Sequence, residues 1–309
     1  MSDPSPVRNV SDTALWVAIY RAMESERGDA IFHDPYARRL GGARGEAIVR
    51  SMPSSEYSAW PIIVRTAVMD HVVRRCVRAG VKTVLNLAAG LDARPFRLDL
   101  PKDLRWIHAD LPPVVEYFQE RMAGETPRCA LEYVELDLRE AGARQALFES
   151  AAATGPVLAI TEGLLIYLPE AAVVPLAREL HEVARARWWL TDLASPKLLK
   201  MLEERWAPAG QRDNAPFVFG PAEGSGWFAP HGWRELEWHS TFAESLRIKR
   251  TMRGGAAFWK LMDKLQTHAR RHQSRRMSGI LLMGNDADAD ADRIIEDRFK
   301  RGEADQVAR

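Results

Sequence analysis

Residues 81–101 read VKTVLNLAAGLDARPFRLDLP. A short apolar, β-branched run, VKTVLNL, breaks into AAGLDAR, a turn holding a single glycine. The run reads as a buried strand. Gly90 permits a tight turn and lets the backbone come close to a bound group. A loop that cradles a pyrophosphate carries two or three glycines, because backbone must approach the phosphates over a longer stretch. Three readings stay open on this stretch alone: a dinucleotide, a nucleoside-type cofactor without phosphate, or a bare strand-to-helix turn.

Downstream, the pattern of strand, loop and helix repeats. LRWIHADL (104–111), LEYVELDL (131–138), VLAITEGLL (157–165) and RWWLTDL (187–193) read as strands, with helical stretches between them. Such alternation predicts a largely parallel sheet covered on both faces. Upstream, the spacing predicts a helix over 12–26, a short helix in DPYARRLGG stopped by Gly41 and Gly42, and a helix from 62 to 79 ended by Gly80. Ser195–Gly232, dense in proline, glycine and tryptophan, reads as an inserted lid. Beyond it WRELEWHS reads as a strand, AAFWKLMDKLQTHARRH as one long helix and GILLMGN as the last strand. The expected division is a helical cap over 1–80 and a main domain over 81–309, with the lid at about 195–232.

At 309 residues and 46% hydrophobic, the chain can bury a sizeable core. A formal net charge of +1 gives no bulk reason to expect a nucleic-acid partner. Cys76 and Cys129 form neither a disulfide framework nor a metal knuckle, which fits a reducing, cytoplasmic setting. No apolar run approaches the roughly 20 residues of a membrane span, so a membrane partner is not expected. His33, His71, His181, His231 and His239 are scattered without a partner at metal-ligand spacing.

Ligands of open α/β sheets sit beyond the carboxyl ends of the strands. Three successive strands end in acids there: Asp110, Asp137 and Glu162. Asp110 lies 20 residues beyond Gly90, the spacing at which a carboxylate grips a ribose, although capping the next turn is an equal reading. Asp137 and Leu138 could meet an adenine edge, or Asp137 could cap the following helix.

SDTALWVAIYRA, DPYARRL, VLNLAAGLDARPFRL, ADLPPVVEY, LDLRE and TEGLLIYLP together resemble the leucine carboxyl methyltransferase-like family, in its bacterial small-molecule O-methyltransferase branch. The resemblance runs from about residue 11 to 170. It implies a class I, Rossmann-like sheet of seven strands, mostly parallel with an antiparallel last strand, and S-adenosylmethionine as cofactor. It places Gly90 against the cofactor, Asp110 on the ribose, Asp137 and Leu138 at the adenine, and Glu162 near the amino-acid end. Arg65 matches the family arginine that pairs with the cofactor carboxylate, and Arg21 is a second candidate. A phosphate-free cofactor explains the single glycine.

The implied reaction is methylation of a small-molecule carboxylate to a methyl ester. An ionised carboxylate needs no base, and no catalytic dyad is apparent. Lys197, Arg205 and Arg212 in the lid are candidate steering cations. The alternatives are a hydroxyl acceptor with His108 or His231 as base, a nicotinamide-dependent oxidoreductase, or a binding module without turnover. Trp206 and Trp227 are candidates to line an aromatic acceptor site. The basic run ARRHQSRR (269–276) reads as a solvated helix end, with anion binding as the alternative.

Overall fold

The computed structural model describes residues 10–52, 59–206, 216–252 and 254–292. Its centre is a seven-stranded sheet in the order β3-β2-β1-β4-β5-β7-β6. β1 (Thr83–Leu87), β2 (Arg105–Asp110), β3 (Ala130–Glu135), β4 (Val157–Thr161) and β5 (Ala186–Ala194) run parallel. β7 (Ser278–Asn285) lies antiparallel between β5 and β6 (Trp233–Ser240). This is the mostly parallel sheet with an antiparallel last strand that the resemblance implied.

The strands alternate their side chains between two cores, as a period of two demands. Leu85, Leu87, Ile107, Trp189 and Met283 face one side, under α6 (Ala141–Ala152) and α7 (Glu170–Glu182). Val84, Trp106, Leu158, Trp188 and Leu282 face the other, under α3 (Trp60–Arg78); the short α4 (Arg94–Arg97) follows β1 and α5 (Pro112–Arg121) follows β2. With both faces covered, the central strands β1 and β4 are buried at every position.

Helices α1 (Val10–Ser25) and α2 (Ala37–Ser51) pack together over the start of the β1 loop. The expected stop falls at Gly42, where φ of 56° and ψ of −173° break the helical backbone; a second helical stretch then runs on to Ser51, and the two together are α2. The neighbouring glycines serve packing. A Cβ at Gly41 would lie 2.5 Å from Ile19 Cδ1, and one at Gly45 would lie 2.7 Å from the Leu15 carbonyl oxygen. Glycine here lets two helices touch backbone to backbone.

Two boundaries differ from expectation. β3 ends at Glu135 rather than 138, because the Asp137 carboxylate accepts from Arg139 N and folds the chain into a turn. The expected long helix is two, α10 (Gly255–Leu265) and α11 (His268–Arg275), preceded by α9 (Thr241–Arg247). Gln266 and Thr267 are extended, and the Thr267 hydroxyl accepts from Arg270 N as an N-cap. Between β5 and β6, α8 (Pro196–Trp206) and a 3₁₀ segment (Gly224–His231) occupy the expected lid, and Phe228 is buried in the core.

Candidate functional site

The carboxyl edge of the sheet is built around the loop after β1. Ala88 and Gly90 both take left-handed backbone conformations, with φ of 49° and 55°. Held in this way, Gly90 N donates to Asp110 Oδ2 at 2.7 Å, and Leu111 N donates to Asp110 Oδ1 at 2.7 Å. Each carboxylate oxygen keeps a free lone pair for a further donor. Burial raises the Asp110 carboxyl above its ordinary range, although both amides pull it back. Ala14 of α1 stands over the loop, 3.4 Å from where a Gly90 Cβ would be.

One further ladder bond, Leu136 N to the Asp110 carbonyl, carries β3 past its last residue. Asp137 follows directly, paired with the exposed Arg139 guanidinium, which holds its carboxyl low. The Leu138 carbonyl accepts from Arg144, itself paired with Glu179, so this turn is pinned from below.

Glu162 begins where β4 ends. Its Oε1 accepts from Arg65 Nε at 3.0 Å and its Oε2 from Arg94 Nη1 at 2.7 Å. Burial alone would raise this carboxyl, but Arg94 and Arg65 bring it down to about 2. Arg65 also donates to Asp192 Oδ2 at 3.2 Å, and Asp192 Oδ1 accepts from Gly163 N at 2.6 Å. Asp192 was not singled out in the sequence. The signal was present, since it falls near the end of the next parallel strand.

Behind Glu162 lies a charged chain that also escaped the sequence reading. Arg94 donates through Nε to Asp70 at 2.7 Å and through Nη1 to Asp92 at 2.8 Å. Asp92 in turn accepts from Asn86 Nδ2, and Asp70 from Arg97. Arg21 is bound to Asp34 and donates to the Leu91 carbonyl at 2.6 Å, bracing the β1 loop from the side.

A cavity of about 140 Å³ opens beside Arg65 and Asp192. Leu165, Leu198, Phe219 and Ile280 supply apolar walls, and Thr241 and Ser278 add hydroxyls. Tyr167 sits beside Arg65, hydrogen-bonded to Thr13, with burial pushing its phenol up to about 12. Lys197 is exposed and does not line the cavity; the Arg205 and Trp206 side chains and all of Arg212 lie outside the described residues.

Neither candidate histidine reaches this cavity. His108 is 0% exposed, stacked on Phe118 at 4.5 Å. Burial drives its imidazole down to about 4, against the pull of Asp92. His231 precedes the start of β6, whose first residue pairs with Asn285 at the far end of β7. Gly284 pairs with Trp188 near the start of β5, so His231 stands at the opposite end of the sheet from Glu162. Trp227 packs on His231 and Phe219 and donates to Glu170, apart from the cavity lining.

The sealed His108 carries a pH prediction. Its folded form favours the neutral ring, so this contribution to stability is full above the unfolded value of about 6.5 and is lost as pH falls toward 4. The loss should approach ~1.4 kcal/mol per pH unit within that window. In chemical unfolding at pH 7 and pH 5, a His108→Leu variant should lose less stability on acidification than the parent. Equal losses would remove His108 as a source of acid sensitivity.

Comparison with known proteins agrees with this geometry. The profile of the leucine carboxyl methyltransferase family matches residues 14–181. A Streptomyces coelicolor relative is 33% identical over 258 residues, covering 78% of this chain and 88% of its own. A Mycobacterium tuberculosis relative is 32% identical over 253 residues, covering 73% of this chain and 83% of its own. Both are provisionally named S-adenosyl-L-methionine-dependent methyltransferases. Among solved structures, a Thermobifida fusca protein described as a methyltransferase superposes with a TM-score of 0.54 at 15% identity, covering 91% of this chain and 96% of its own. A DUF574 family protein from Streptomyces avermitilis superposes with a TM-score of 0.51 at 14% identity, covering 87% of this chain and 96% of its own. The chain therefore belongs to the leucine carboxyl methyltransferase family of S-adenosylmethionine-dependent methyltransferases.

Proposed function

We propose that the protein methylates the carboxylate of a small, largely apolar molecule, using S-adenosylmethionine, and releases a methyl ester. The observation that carries this reading is the cavity, whose walls are largely apolar and whose described lining residues include no histidine. Asp192, the one carboxylate among its described lining residues, is already held by Arg65 and the Gly163 amide.

The edge of the sheet fits the cofactor. One left-handed glycine and no ring of glycine amides suits a ligand without phosphates. Asp110 would accept from the two ribose hydroxyls, and Asp137 with Leu138 would meet the adenine. Glu162, kept ionised by Arg65 and Arg94, would accept from the ammonium of the amino-acid end, and Arg65 would meet its carboxylate. When bound, the cofactor supplies a methyl group already activated on a sulfonium. The chain's own residues have three tasks: to hold acceptor oxygen, methyl and sulfur in line, to exclude water, and to accommodate charge.

An acceptor carboxylate, with a pKa of about 4, arrives ionised and needs no proton removed. A phenol, at about 10, calls for a positioned base. The product decides between them. The expected product loses methanol in mild alkali, as an ester does. An alkali-stable methylated product would overturn the carboxylate reading in favour of a hydroxyl acceptor.

A further inference from the structure

One helix of this fold is turned inside out. α10 buries only Asp263, while Phe258, Leu261, Met262 and Leu265 are 49%, 57%, 40% and 71% exposed. These four stand at i, i+3, i+4 and i+7, so they form one continuous apolar stripe. The opposite side of the helix faces the protein. Trp259 meets Phe242 of α9 edge-on at 6.3 Å, and Asp263 accepts from Arg275 Nη2 at 3.0 Å.

α11 follows at once and buries none of its residues. Arg271 donates to the carbonyls of Asp263 and Lys264, at 3.0 and 2.9 Å, tying the end of α10 to α11 as one corner. Between Gly254 and Arg276 the chain carries six basic residues and one acidic, in a protein whose net charge is only +1. The single acid is the buried Asp263, whereas Lys260, Lys264, Arg270 and Arg275 are exposed.

We propose that this α10–α11 corner docks on the surface of an anionic lipid bilayer. The apolar stripe enters the headgroup boundary and the basic side chains meet the anionic headgroups. Bulky apolar side chains on one helix face with lysine and arginine at the border are what an interfacial helix requires. Charge also decides against a second copy of the chain as the occupant. A two-fold pairing would set the same basic border against itself. The sequence expectation of no membrane partner rested on the lack of a spanning run, and no helix among the described residues is long and apolar enough to cross. Lying on a surface needs no such length. The corner also adjoins the cavity, since α9 carries both Thr241 of the cavity wall and Phe242 under Trp259.

The test is co-sedimentation of the full chain with vesicles of phosphatidylcholine alone or mixed equally with phosphatidylglycerol. The chain should pellet with the mixed vesicles, stay soluble with phosphatidylcholine, and be released by high salt. Leu261→Glu with Leu265→Glu should lower the bound fraction at least ~tenfold at an unchanged melting temperature, because both side chains are exposed. Lys264→Glu with Arg270→Glu should do the same through charge alone. No pelleting, equal pelleting with both vesicles, or undiminished binding in both variants would overturn the proposal. So would a dimer in analytical sedimentation that the leucine variant converts to monomer, which would assign the stripe to a second copy.

Discussion

An Arg94→Met variant is expected to lose about 3–5 kcal/mol of stability, because it leaves buried carboxylates without their cation. Arg94 is fully buried and bound to Asp70, Asp92 and Glu162. Arg97 and Arg65 still face Asp70 and Glu162, but Asp92 keeps only the Asn86 amide and local backbone. Methionine fills similar volume, so the loss reflects charge rather than a cavity. In a chain of this length the melting temperature should fall by roughly 5–8 °C. Arg94→Lys should fall between the two, since a point charge cannot reach all three partners in the fork geometry. A melting temperature within a degree of the parent would mean that the three carboxylates are compensated elsewhere.

Asp110→Ala should weaken S-adenosylmethionine binding at least ~tenfold, as charge-assisted hydrogen bonds of ~1.5–3 kcal/mol are removed. The fold should tolerate this change far better than the loss of Arg94. Burial raises the Asp110 carboxyl, so the folded chain holds this charge at a cost rather than a gain. What the side chain organises is the β1 loop, through the Gly90 and Leu111 amides. Asp110→Asn keeps an acceptor oxygen but loses the charge, and should recover part of the affinity. Calorimetry reads all three chains, with thermal melting as the control for folding. An unchanged dissociation constant in Asp110→Ala would reduce Asp110 to a turn cap.

The strand pattern was readable because it is local: side chains alternate along each strand, and acids stand where strands stop. Gly90 and Asp110, each expected against the cofactor, are joined to one another by a hydrogen bond of 2.7 Å that the 20-residue spacing alone does not state. What was missed has causes of a different kind. Gly42 breaks the helix as expected, but the glycines at 41 and 45 answer to Ile19 and Leu15 across an interface that no local pattern shows. Thr267 is an N-cap in the middle of an apparently continuous helix. A helix was expected at α10, but its sequence does not say that the apolar stripe faces outward, as it does here.

By itself, the sequence determined the alternating α/β order, the single-glycine loop and the acids at the sheet's carboxyl edge. Each depends on residues near one another in the chain and on the fixed periods of strand and helix. Only the tertiary structure decided what those acids do. Glu162 meets Arg94 across 68 residues and Arg65 across 97, and Arg65 meets Asp192 across 127. Crossover connections set such pairings, and no local spacing encodes them. It was also the packing of strand against helix that sealed His108 away and sent His231 to the opposite end of the sheet, leaving Arg65 as the cation among the described residues that line the cavity.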